Sequence, residues 1–321
     1  MKKSSAPFAS ARRALVAGLC VGLGGCSTIK HTAASQLSDA LAGSGTVFAS
    51  DNDPELVRAA VPFSLKLMES LLSVNPEHRG LLLAAASGFT EYSYAFVQQD
   101  ADELAEKDFA ASRALRDRAR RLYLRARDYG LRGLDTTHPG FTQKLRSDPA
   151  AAVRTAGVDD VPLLYWTAAA WGAAIALSKD NADLIADQAL VEALIDRALE
   201  LNERFDYGAI HGFLITYEMA RQGAAGEPAA RARQHFDRAM ELGQGGQAGP
   251  LVNLAEAVAL ARQDRPEFEA LLRRALAIEA DARPEWRLLN LTMQRRARWL
   301  LGRADELFLS GPENPPVQQS P

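Results

Sequence analysis

Apolar positions along this chain recur every three to four residues, with charged residues filling the opposite face. That period belongs to helices packed on a core. It predicts helices near 54–73, 78–98, 101–133, 161–178, 183–202, 206–221, 228–242, 250–263, 266–279 and 284–309. Strand alternation is missing, and no Asn-Gly or Asp-Gly pair marks a hairpin. Helix starts are signalled by Asp53-Pro54-Glu55 and by the further Pro-Glu pairs at Pro76, Pro266 and Pro284. Proline suits the first helical turn, and an acidic side chain there complements the helix dipole. The interval 135–160, with Pro139 and Pro149, is the least regular. Leu163–Leu177 is apolar all round but only 15 residues long. It suits a buried helix better than a bilayer span, which needs about 20 residues.

Four helices carry a small-or-apolar, large, alanine set on one face: Ala119/Tyr123/Ala126, Val191/Ile195/Ala198, Ala232/Phe236/Ala239 and Phe268/Leu272/Ala275. Their alanines lie 72, 41 and 36 residues apart, close to two units and then one unit of a repeat near 36. The pattern resembles the second helix of a tetratricopeptide repeat, although any antiparallel helical array would produce a similar stripe. The expected fold class is all-α, an antiparallel helical array of tetratricopeptide-like repeats.

The N-terminus reads as an export signal. Lys2, Lys3, Arg12 and Arg13 precede an apolar segment, Ala14 to Leu23, that ends in Leu23-Gly24-Gly25-Cys26. This run resembles the lipobox of bacterial lipoproteins, with Cys26 as the lipidated first residue of the mature chain; the alternative is a cleaved signal with an incidental cysteine. The expected organisation is a signal peptide over 1–25, a lipidated flexible tether over 26–50, the helical domain over 51–310 and a disordered tail over 311–321. Loss of residues 1–25 takes the net charge from −3 to −7. A mildly acidic exported chain is a poor candidate for nucleic acid. With Cys20 in the signal and Cys26 lipidated, no thiol remains for disulfide or catalytic chemistry.

Catalytic patterns are missing. The five histidines lack metal spacing, no cofactor motif occurs, and the paired acids Asp102-Glu103 and Asp159-Asp160 sit at expected helix starts, where capping explains them. The eight arginines of 113–132 read as a solvated face with four-residue pairs Glu103/Lys107, Asp117/Arg121 and Asp128/Arg132. Neither an enzyme nor a metal site is expected. Tyr92, Tyr94, Trp166, Trp171, Tyr207 and His211 are the candidate ligand-lining residues, because rings set among alanines can border a groove. Ordinary helix-packing core is the competing reading.

Long blocks of this chain resemble the TatT component family, lipoproteins associated with tripartite ATP-independent periplasmic (TRAP) transporters. They are 53–58 (DPELVR), 81–89 (LLLAAASGF), 92–98 (YSYAFVQ), 120–133 (RRLYLRARDYGLRG), 161–177 (VPLLYWTAAAWGAAIAL) and 284–301 (PEWRLLNLTMQRRARWLL). The resemblance implies periplasmic exposure on a lipid anchor, with Ser27 after the cysteine suiting the outer membrane. It also implies a homotrimer with a pore or pocket in each subunit, docking of a TRAP-type periplasmic substrate-binding protein, and handling of a small hydrophobic or acidic ligand. A structural repeat scaffold for envelope assembly is the alternative. A through-going cavity would favour ligand handling; a solid core with only an outer groove would favour scaffolding. An enzyme acting on envelope polymers is a third reading, which two opposed, desolvated carboxylates in a cleft would revive.

Overall fold

The computed structural model describes residues 36–308, apart from 42 and 44. The signal over 1–25, Cys26 and the tail over 311–321 lie outside the described residues. Among those described, the fold is all-α, with no strand. The helices are α1 Gly45–Ala49, α2 Pro54–Val74, α3 Arg79–Tyr92, α4 Gln99–Leu104, α5 Phe109–Thr137, α6 Phe141–Ser147, α7 Pro149–Val153, α8 Val161–Ala176, α9 Ala182–Ala186, α10 Gln188–Asn202, α11 Ala209–Tyr217, α12 Pro228–Leu242, α13 Ala248–Leu254, α14 Arg265–Leu276, α15 Arg287–Gly302 and α16 Ala304–Leu307.

Aspartates start several of them. Asp53 accepts the Glu55 and Leu56 amides, while Asp108, Asp148 and Asp264 accept those of Ala111, Ala151 and Glu267. Each satisfies amides that the helix itself leaves open, and Ala at such a cap costs about 1 kcal/mol.

Neighbours in sequence pack as neighbours in space, from α2 on α3 through α5, α8 and α10, then from α11 through α12, α13 and α14 to α15. The array then closes. α15 touches α1 and α2, and Arg287 donates to the Ser50 carbonyl at 2.6 Å. Arg295 binds Asp100 and Glu103 at 2.7 and 2.8 Å, and Arg296 reaches Asp102 at 2.8 Å. Of the four alanine sets, every member is buried except Phe236, which is partly so. Alanine lets adjacent helices approach closely, and two glycines do the same for α5 on α8. A Cβ on Gly130 would sit 2.1 Å from Thr167 Oγ1, and one on Gly133 would lie 2.6 Å from a Leu163 methyl.

Several local expectations are corrected. The predicted 78–98 helix leaves α geometry at Ser93–Gln98, which forms a π-helix, as does Ala255–Ala259 inside the predicted 250–263. Pro76-Glu77 does not open a helix; His78 caps α3 through the Leu81 amide instead. The predicted 101–133 helix breaks at Asp108, which caps α5. The irregular interval 135–160 holds α6, α7 and a short 3-10 turn. Part of the expected tether is helical over 36–41 and 45–49, and Leu41 and Phe48 pack on the first core cluster.

The arginines of α5 do not make the predicted four-residue pairs. Asp117 meets Arg120, Asp128 meets Arg127 and Glu103 meets Arg295. Arg118, Arg125, Arg127 and Arg132 lie instead over the rings of Tyr92, Phe89, Trp171 and Tyr129. Each arginine roofs an aromatic side chain, so this face seals core edges.

Candidate functional site

α8 explains its own odd composition. Leu163, Leu164, Thr167, Ala168, Ala170, Trp171 and Ala174 are buried. Pro162, Tyr165, Trp166, Ala169, Gly172, Ala173 and Ala176 keep accessible surface. At about 100° per residue the second group forms one apolar stripe, less deeply buried than the first, with Gly172 close to Phe213 and Val191. On α3 and the π-turn that continues it, Leu83, Ser87, Glu91 and Tyr94 form a comparable partly accessible stripe. A third segment joins them. Asp206, Tyr207 and Gly208 are successive left-handed residues, with φ of 42°, 52° and 93°. For the two non-glycines this costs roughly 1–2 kcal/mol each, a strain of the kind kept where a segment must present particular side chains.

Glu91 and Asp206, on two of these segments, are both exposed. Even so, surrounding protein desolvates them: the Glu91 carboxyl is pushed up to about 7 by enclosure and then by Asp206, and Asp206 is raised by enclosure. Tyr165 lies near both: burial, Asp206 and Glu91 all raise its hydroxyl. Its ring contacts Trp166 at 5.0 Å and Phe205 at 5.4 Å, and Tyr207 meets Trp286 edge-on at 4.9 Å.

Tyr94 lies one turn along from Glu91, and its hydroxyl sits 3.5 Å from Met293 Sδ. Enclosure raises this hydroxyl, as do Glu256 and Asp102, while Arg296 opposes them. Tyr94 is in one π-helix and Glu256 in the other, so the two rare elements come together here. Such widened turns recur at functional sites.

Of the aromatics singled out from the sequence, Tyr94, Trp166 and Tyr207 lie along these stripes. The other three pack elsewhere. Tyr92 is buried against Phe96 under Arg118. Trp171 is wholly buried, between Arg127 and Arg146. His211 is buried with Nδ1 2.8 Å from His235 Nδ1, and burial lowers the pKa of both imidazoles. Sequence reasoning did not single out Glu91, Phe205 or Asp206. A signal for Glu91 existed, since it is the lone charge between Arg79 and Asp100. None existed for Asp206, whose position depends on a left-handed turn.

Asp160 behaves as a clamp. Burial alone would raise its carboxyl, but the Gly157 amide, His138 and Arg79 outweigh burial and hold it below its usual range. Two outer depressions also occur. One of about 500 Å³ lies between α7 and α10, beside Val153 and Arg197, and one of about 350 Å³ is walled by Gly243–Gly246 and Trp286. No helix among the described residues is long and apolar enough to cross a membrane.

The all-helical array closes on itself through α15. Residues 50–308 match the TRAP transporter T-component family (TAtT), and the chain belongs to that family. It is also similar to a protein of Treponema pallidum (strain Nichols), 32% identical over 315 residues, covering 94% of this chain and 97% of that one. Membership gives this chain an accessory role in a TRAP transport system.

Proposed function

We propose that this protein is a lipid-anchored T-component held by Cys26 on the periplasmic side of the outer membrane. There it docks a TRAP-type periplasmic substrate-binding protein and takes a small ligand into its interior. What supports ligand handling is the grouping of Tyr165 with Glu91 and Asp206, the last presented on a strained left-handed turn for which a purely structural scaffold would have no use. Self-association into a trimer and partner docking draw support from α2, where Leu56 and Phe63 stand exposed seven residues apart on one helical face. An anchor shared with the membrane system raises effective concentration, so a micromolar interface suffices.

Glu91 and Asp206 are the carboxyl pair to weigh against the condition set for a hydrolase. Against that reading, acid–base pairs work when their environments push the two pKa values apart, whereas here both groups move upward. The test is sedimentation of the purified protein alone, then with the binding protein encoded beside it. A trimer and a complex are expected; a strict monomer with no binding at high micromolar concentration defeats the transport reading.

A further inference from the structure

The turn that carries Asp206 and Tyr207 is gripped by α12 at three points. Before it, Glu203 is held by Arg238. Within it, Gly208 packs so closely that an added Cβ would lie 3.1 Å from Leu242 Cβ and 3.4 Å from the Ala239 backbone. After it, His211 meets His235, with the two Nδ1 atoms 2.8 Å apart. A bond between like nitrogens needs one proton, so one ring donates and the other accepts. The neighbours decide which. Nε2 of His211 lies 3.5 Å from Glu203 Oε2, and a carboxylate only accepts. This assigns a proton to Nε2 of His211, whose Nδ1 then accepts, and the bonding Nδ1 proton to His235.

His211 is 6% exposed, whereas His235 is half-buried and makes no other hydrogen bond among the described residues. A first added proton therefore goes to Nε2 of His235 and leaves the bond intact. A second has only Nδ1 of His211 to take, which sets two N–H groups against one another at 2.8 Å. Burial is the first cause that lowers both imidazoles, and each also feels a cation, Arg238 at His211 and Arg221 at His235. Glu203 opposes this at His211, and Glu218 and Asp196 do so at His235, but all three acids are already held by arginines. α8 and α13, which also pack on α11, carry no charge, and Glu256 in the π-helix beyond is held by Arg296. Asp206 is the remaining acid, on the turn itself.

We infer that the His211–His235 bond is an acid-operated latch: it tolerates one added proton, opens on the second, and so frees the strained turn that carries Asp206 and Tyr207. The closed form binds fewer protons than the open one. It is thus favoured above the usual imidazole value of 6.5 and lost as pH falls below it through the lower folded values. The latch stands on the geometry around the turn and not on any ligand the turn presents.

Two measurements on the purified protein test it. Nitrogen NMR of the histidine-labelled chain at pH 8 should show opposite tautomers, Nε2–H at His211 and Nδ1–H at His235. Two neutral rings with Nε2–H overturn the inference, since no proton then lies between them. This reading needs no variant, so it decides the matter even where a substitution prevents folding. Amide hydrogen exchange over 203–211, corrected for the intrinsic effect of pH, should quicken at least tenfold between pH 7.5 and pH 5. His235→Phe removes the donor, so the same segment should exchange quickly at both values. A parent rate that does not change with pH overturns the latch. A His235→Phe variant that exchanges as slowly as the parent at pH 7.5 and still quickens in acid also overturns it, because another group then does the sensing.

Discussion

Arg296 on the last long helix donates to the Asp102 carboxylate at 2.8 Å, across a sequence separation of 194 residues. The same guanidinium grips Glu256 with two nitrogens, at 2.6 and 3.1 Å. One side chain therefore joins the first helices, the second π-helix and the C-terminal helix.

Arg296→Met should consequently loosen the closed array. Removing one partner of a largely buried ion cluster leaves Glu256 without a cation and Asp102 with only Arg116, and costs about 3 kcal/mol. Chemical denaturation should register that loss, and Arg296→Lys should recover only part of it, since an ammonium cannot grip Glu256 through two fixed nitrogens. An unchanged midpoint for Arg296→Met would show that closure does not depend on this cluster.

Gly130→Ala should destabilise by roughly 1–3 kcal/mol, because the new methyl meets Thr167 and its backbone where α5 crosses α8. Gly302→Ala is the control: nothing lies within 4 Å of its Cβ, and alanine in a helix gains about 0.5–1 kcal/mol. Equal melting temperatures for the two variants would contradict the close approach.

Asp160→Asn tests a clamp against a catalytic acid. Asp160 accepts from Arg79 at 2.8 Å and from the Gly157 amide at 2.9 Å, and lies 2.8 Å from His138. Its carboxyl is held below the usual range in the folded state. Its stabilisation is thus present above the unfolded carboxylate pKa and is lost as pH falls through the lower folded value. The variant should unfold more easily at pH 7, with a smaller difference from the parent in strong acid. A parent-like unfolding curve at pH 7 would remove the clamp.

Glu91 has the opposite sign. Its folded carboxyl titrates near 7 against a usual 4.5, so the unfolded chain releases that proton first as pH rises. The stability associated with protonated Glu91 is complete below 4.5 and is lost between there and about 7. Glu91→Gln should flatten this part of the pH–stability curve and raise the melting temperature at pH 8. Curves that stay parallel across that window would place Glu91 in open water.

Cys26→Ala should release the protein from membranes or leave it unprocessed, since two acyl chains are what make such anchoring stable. Fractionation that shows a processed, membrane-bound variant would count against the lipid anchor.

The helical fold was legible because its signals are local: periodic apolar residues, Asp caps and small residues at the alanine positions of four helices. The interior was only partly legible. Tyr94, Trp166 and Tyr207 stood out as rings among alanines, but so did Trp171, and periodicity alone cannot say which side of an apolar helix meets a neighbour. Trp171 and Tyr165 lie six residues apart on α8, yet Trp171 is wholly buried while Tyr165 keeps accessible surface beside Phe205. Asp206 was hidden for another reason, because its backbone conformation is set by the turn that carries it. The long-range arginine pairs of α15 were invisible too, since helix-local charge rules consider only partners three or four residues away.

The π-helix at Ser93–Gln98 sets the angular phase of everything after it. A π-turn is an α-helix with one residue too many, and each residue is worth about 100° of rotation. Deleting one residue from this stretch would restore ordinary helix and swing Asp100 and Asp102 a quarter-turn or more away from Arg58, Arg295 and Arg296, which now hold them. The irregular turn thus works as an angular spacer: it lets one continuous helix carry Glu91 on one face and, a few residues on, offer its acids to the far end of the chain.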